Sequence, residues 1–205
     1  ANCPQSAHSL QDGRHVFLRD RCVRCGLCAQ RCYAKAIEVI GRTTTVDDVL
    51  REVLKDKPFY ETSGGGMTLS GGEPMAQFAF TAALLRAAKK EGLHTCLDTC
   101  GFAPAGQYLA LLDVVDLFLY DIKDTDAARH QRLTGVPLAP ILDNLKAIDA
   151  AGGRVILRCP LIPGINTDND HLNSLGDLAE SLAHVEEVSL HPYHPLGRSK
   201  AEHLG

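Results

Sequence analysis

From about Gly41 onward, apolar residues recur with two alternating periods. Val46, Val49, Leu50, Val53 and Leu54 fall on one helical face behind Thr45 and Asp48, which make a capping-box-like start. A strand-like stretch over 66–70 ends in glycines, and an Ala/Leu-rich helix follows from about Met75 to about Glu91. The alternation continues with strands near 94–98, 116–121, 154–161 and 187–191, and helices near 104–114, 140–151 and 171–182. Repeated β-α units imply an α/β fold with a parallel sheet. Polar residues recur where the strands end: Glu73, Asp98 with Thr99, Asp121 with Lys123, Arg158 and His194. A (β/α) barrel would gather these endings on one face, whereas an open doubly wound sheet would collect fewer of them, so the barrel is the favoured reading.

The first 40 residues follow neither period. Cys22, Cys25, Cys28 and Cys32 form C-x2-C-x2-C-x3-C, the spacing of a bacterial ferredoxin iron–sulfur run. A zinc site pairs separated knuckles, and a disulfide framework suits an oxidising compartment; both remain alternatives. The fourth cysteine of such a run ligates the other cluster of a two-cluster ferredoxin, so a further thiolate is needed. Cys3-Pro4-Gln5-Ser6-Ala7 aligns with Cys32-Tyr33-Ala34-Lys35-Ala36, 29 residues apart, as two copies of one pattern. On this reading Cys3, Cys22, Cys25 and Cys28 hold one [4Fe–4S] cluster, and Cys32 belongs to a second whose partners lie upstream of Ala1. In the alternative, Cys32 closes a single cluster and Cys3 is an ordinary thiol. The expected division is an iron–sulfur insert with an incomplete first repeat over 1–40 and a barrel over 41–205.

Composition narrows the function classes. The 205 residues are 45% hydrophobic, enough for a sizeable core. A net charge of −4 argues against a nucleic-acid partner. No apolar run reaches the roughly 20 residues of a membrane helix, and no signal peptide opens the chain, so a cytoplasmic protein is expected.

Gly64-Gly-Gly66 and Ser70-Gly-Gly-Glu73-Pro74 let a ligand approach the main chain closely. Together with the ferredoxin run they belong to an ordered set: 59–74, Asp98-Thr99-Cys100-Gly101, Tyr120-Asp121-Ile122-Lys123, His130 through Gly135, Arg158 through Gly164, and Pro192 through Gly197. In this order the chain resembles the radical S-adenosylmethionine (SAM) activating enzymes of glycyl-radical enzymes, the family of pyruvate formate-lyase activating enzyme. The resemblance implies a partial (β/α)6 TIM-like barrel lacking its first strand, with a ferredoxin-like [4Fe–4S] insert at its N-terminus. It implies SAM binding by Gly71, Gly72 and Glu73 on the methionine amino group, with Arg158 and His194 lining the same site. Asp98, Thr99 and Asp121 resemble a site for a monovalent cation beside the SAM carboxylate, and Lys123 is the candidate catalytic residue, orienting cofactor or peptide. Taken singly, each has a plainer role: a helix cap for an Asp, a surface pair for Arg158, a structural contact for His194.

The activity implied is reductive cleavage of SAM to a 5′-deoxyadenosyl radical that installs a glycyl radical on a partner enzyme, with a flavodoxin- or ferredoxin-type protein as electron donor. The C-x3-C-x2-C loop that would hold the SAM-reducing cluster occurs nowhere in the 205 residues, so these residues by themselves are expected to be inactive. Cys100 stands where the family usually has serine or asparagine; Cys96, Cys100 and Cys159 read as buried inert thiols. Two other classes compete: a non-catalytic iron–sulfur electron-transfer or partner-binding protein, and a radical SAM enzyme acting on a small molecule or RNA.

Overall fold

The computed structural model of the protein describes residues 3–194, which fall into two compact units divided between Thr45 and Val46.

In the first unit, β1 (His8–Gln11) and β2 (Arg14–Phe17) form an antiparallel hairpin. Asp12 and Gly13, both at positive φ, make its two-residue turn, the backbone that an Asp-Gly pair favours. The short α1 (Leu27–Gln30) follows Gly26. The two aligned cysteine segments have the same local geometry. Ser6 N–H donates to the Cys3 carbonyl and Ala7 N–H to Cys3 Sγ (3.1 and 3.3 Å). Lys35 N–H donates to the Cys32 carbonyl and Ala36 N–H to Cys32 Sγ (3.0 and 3.2 Å). Ser6 and Lys35 both adopt φ of 50°. Tyr33 in place of proline therefore leaves this turn unchanged.

The second unit opens with α2 (Val46–Val53) and α3 (Lys57–Ser63). Five strands then form one parallel sheet: β3 (Gly66–Leu69), β4 (His94–Thr99), β5 (Leu117–Asp121), β6 (Val155–Leu161) and β7 (Val185–Pro192). The spatial order β3-β4-β5-β6-β7 follows the chain. A doubly wound sheet reverses its strand order at a switch point; this sheet does not. Between the strands lie α4 (Phe78–Lys90), α5 (Ala105–Leu109), α6 (Ala127–Thr134), α7 (Ala139–Ala150) and α8 (Asn169–Glu180). Leu85, Leu97, Phe118, Tyr120, Leu145 and Leu157 are fully inaccessible at the centre of the core.

Three elements differ from the periodicity. α5 is much shorter than the helix expected over 104–114, because turns after Leu109 drop Leu111, Val114 and Val115 into the core. The helix expected from Met75 starts at Phe78, since Pro74 opens a 3-10 turn first. α6 carries no clear apolar stripe and is started by its cap, Asp126, whose carboxylate accepts Arg129 N–H at 2.6 Å.

Candidate functional site

The C-terminal ends of β3 to β6 converge. Beyond β3 the chain passes Ser70, Gly71 and Gly72; the two glycines hold φ of 91° and 57° and are exposed, and a Cβ on either would meet nothing within 4 Å. Their requirement is conformational, and the main chain there is open to a ligand. Glu73 follows as the cap of the 3-10 turn and bridges back to β4. Its Oε1 accepts Met75 N–H (3.0 Å) and the Thr99 hydroxyl (2.8 Å), and its Oε2 accepts Cys100 N–H (2.8 Å).

At the end of β4, Asp98 splits its oxygens between Ser70 Oγ on Oδ2 and Arg158 Nη1 on Oδ1, both at 2.7 Å. Arg158, on β6, also points Nε toward Asp121 Oδ1 at 3.8 Å. Asp121, the last residue of β5, accepts Lys123 Nζ on Oδ2 at 2.5 Å. Parallel register explains the convergence: Asp121 lies level with Arg158, and Asp98 and Thr99 lie level with Leu119 and Tyr120. Two carboxylates and two cations thus form one charge-balanced, mostly shielded cluster. A cavity of about 300 Å³ beside β3 reaches Ser70, Gly71 and Glu73.

The loop after β4 is held from several sides. Thr99 Oγ1 receives Gly101 N–H at 3.1 Å and lies 3.0 Å from the Tyr108 hydroxyl. Asn144 Nδ2 donates to the carbonyls of Gly101 (2.8 Å) and Ala103 (2.7 Å). Gly101, at φ 77°, passes so near Tyr120 that a Cβ would sit 2.1 Å from its hydroxyl oxygen. After β5, Asn166 donates to the carbonyls of Lys123 (3.0 Å) and Pro160 (2.8 Å), tying two strand-end loops together.

Burial, with the hydrogen bond to Glu73 behind it, pushes the Cys100 thiol up to about 11. Burial pushes Cys159 up to about 12. Cys96 is raised by the same cause. All three are protonated near neutrality and poor nucleophiles.

Of the residues expected at the site, Gly71, Gly72, Glu73, Asp98, Thr99, Asp121, Lys123 and Arg158 come together; His194 follows β7 and is exposed. Leu196 and Gly197 of the last motif lie outside the described residues, as does Pro195. The oxygens of Asp98 and Asp121 already face Arg158, Lys123 and Ser70, and the Thr99 hydroxyl is taken up by Glu73, Tyr108 and Gly101. Tyr108, Asn144 and Asn166 escaped the sequence because nothing in their spacing marks them; their partners are distant in the chain.

In the first unit, Cys3, Cys22, Cys25, Cys28 and Cys32 are free thiols, and Arg24 N–H donates to Cys22 Sγ at 3.3 Å. Among the described residues no three His, Cys, Asp or Glu side chains converge on one ion position.

Comparison with known proteins places this geometry. The radical SAM superfamily's sequence model matches residues 22–175. The chain is 44% identical over 180 residues to an isethionate sulfite-lyase activating enzyme of Nitratidesulfovibrio vulgaris, covering 87% of this chain and 58% of that protein. It is 38% identical over 199 residues to the pyruvate formate-lyase-activating enzyme of Staphylococcus aureus, covering 94% and 79%. A solved domain of pyruvate formate-lyase-activating enzyme from Bacteroides vulgatus superposes with a TM-score of 0.60 at 32% identity, over 64% of this chain and 83% of that one. The chain spans about three fifths of the length of the isethionate sulfite-lyase relatives it matches, 58% and 65%. The chain belongs to the radical SAM superfamily, among the activating enzymes of glycyl-radical enzymes.

Proposed function

We propose that these residues are the SAM-binding and electron-relay part of an activase that installs a glycyl radical on a partner enzyme. The observation that carries this is the Gly71-Gly72-Glu73 segment, an open backbone beside a carboxylate held by three donors. A carboxylate has about four acceptor positions; Met75 N–H, the Thr99 hydroxyl and Cys100 N–H take three, and the fourth faces only the weak donor of the Cys100 thiol, which the methionine amino group of SAM can displace. Arg158 and Lys123 balance Asp98 and Asp121 and offer a positive edge to the SAM carboxylate. His194 is placed at the same site by analogy alone. When bound and reduced, SAM supplies a 5′-deoxyadenosyl radical, the hydrogen-abstracting group of this family. The protein's residues bind it, orient it and shield it. The cysteines of a SAM-reducing C-x3-C-x2-C loop are not among these 205 residues.

We assign the sheet to a partial (β/α) barrel over 41–205, supported by strand order that follows the chain, and residues 1–40 to a ferredoxin-type insert. The donor chemistry there fits a [4Fe–4S] cluster on Cys3, Cys22, Cys25 and Cys28: four thiols, two of them already accepting backbone N–H, the kind of bond that tunes cluster potential. Thiols kept for such a cluster suit a reducing, cytoplasmic setting. The first unit carries seven basic residues (Arg14, Arg19, Arg21, Arg24, Arg31, Lys35, Arg42) against Asp12, Asp20 and Glu38, a net +4, while the rest of the chain carries −8. All seven are exposed, and Arg24 and Arg31 lie inside the cysteine run. This charge suits an acidic electron donor of flavodoxin or ferredoxin type.

Anaerobic iron–sulfide reconstitution followed by calorimetric titration with SAM tests the proposal. A bound cluster together with saturable SAM binding supports it. A cluster without SAM binding instead favours a non-catalytic electron carrier, and neither property would sink both readings.

A further inference from the structure

We infer that Tyr108 is a positioning residue for the SAM-binding carboxylate, acting through Thr99. The inference rests on Glu73 being the SAM ligand proposed above. Tyr108, on α5, is fully inaccessible, and Thr99 is 2% exposed, so neither hydroxyl can rely on solvent. Thr99 has one hydroxyl hydrogen. Glu73 as a carboxylate can only accept, so the 2.8 Å contact fixes that hydrogen on Oε1. The 3.0 Å contact between Tyr108 and Thr99 must then run the other way, from the phenol to Thr99 Oγ1. Gly101 N–H fills the second lone pair of Thr99. The chain Tyr108 to Thr99 to Glu73 has one consistent direction, and the phenol stays a donor because burial raises its pKa.

The consequence lies at Oε2. With Oε1 held by Thr99 and Met75, the carboxylate is fixed against rotation, and Oε2, which accepts Cys100 N–H, keeps its orientation for the ligand. A phenylalanine at 108 would keep the packing but leave a lone pair of Thr99 unfilled. The threonine hydroxyl, and with it the carboxylate, would lose its fixed orientation.

The test uses the whole chain as Tyr108→Phe, Thr99→Val and the double variant. SAM affinity is measured by calorimetry, and amide hydrogen exchange is followed at Met75 and Cys100, which both donate to Glu73. The expected result is about fivefold weaker SAM binding for Tyr108→Phe, the equivalent of one net hydrogen bond, at least that for Thr99→Val, and no further loss in the double variant. In Tyr108→Phe the Met75 and Cys100 amides should exchange faster, while those of β5 and β6 are unchanged. Unchanged affinity, or losses that multiply in the double variant, would overturn the inference. So would exchange that rises uniformly, since that is what a merely structural phenol predicts. If the unaltered chain binds no SAM, the cofactor reading fails, and the exchange pattern alone still decides the positioning role.

Discussion

Arg129→Met should destabilise the second unit more than any surface ion pair could. The Asp124 carboxylate is wholly inaccessible. Its Oδ2 accepts Arg129 Nε at 2.5 Å, its Oδ1 accepts Asp126 N–H at 2.9 Å, and His171 Nδ1 lies 3.9 Å away. Burial by itself would raise this carboxyl, but the bonds from Arg129 and Asp126 outweigh it and hold the carboxyl below the usual range. Arg129 also reaches Asp168, the cap of α8, at 2.7 Å, but Asp168 is 43% exposed and that contact contributes little. Methionine keeps the stem and removes the charge, leaving a buried carboxylate uncompensated at a cost of about 3 kcal/mol. For a chain of this size that lowers Tm by about 6–12 °C. The double variant Arg129→Met/Asp124→Asn should recover to within about 1 kcal/mol of the parent, because it is the unpaired charge and not the absent pair that is costly. Thermal and denaturant unfolding at pH 7.5 measure both. A single variant within about 0.5 kcal/mol of the parent, or a double variant no better than the single, would refute the reasoning. The network matters to the site because it anchors the loop between β5 and α6, immediately after Lys123.

Two other outcomes are expected. His171 is 1% exposed, and burial lowers its pKa more than Asp124 raises it. Its Nδ1 accepts Thr125 N–H and lies 2.8 Å from the Thr125 hydroxyl, while its Nε2 has no partner. A depressed folded pKa means the contribution is complete above the unfolded value of about 6.5 and is lost as pH falls below it. His171→Asn should therefore flatten Tm between about pH 6.5 and 5, and an unchanged slope there would contradict the assignment. On the proposed electron-relay role of residues 1–40, their reduction by an acidic donor protein should slow by about tenfold or more between low and high salt, as the Debye length falls from ~10 to ~3 Å. Arg24→Glu/Arg31→Glu should remove most of that dependence; a salt-insensitive rate in the parent would refute electrostatic docking.

The family, the β-α alternation and most of the residues that meet at the strand ends were legible in the sequence because each is written locally. A strand-end glycine pair, an Asp at the last strand position and a cysteine run at ferredoxin spacing are all short-range patterns. The paired turns at Cys3 and Cys32 show how far this goes: five aligned residues foretold two backbones that agree in φ and in both hydrogen bonds. What the tertiary structure decided is who partners whom. Periodicity places Tyr108 on a helix and Thr99 on a strand, but only parallel packing sets their hydroxyls 3.0 Å apart and points the result at Glu73. Arg158 is separated from Asp98 by 60 positions, and no spacing rule pairs them; strand order does. The Asp124–Arg129–His171 network was invisible for the same reason. Local propensity and pattern act over a few residues, whereas the direction of a buried hydrogen bond depends on groups that meet only when the sheet closes around them.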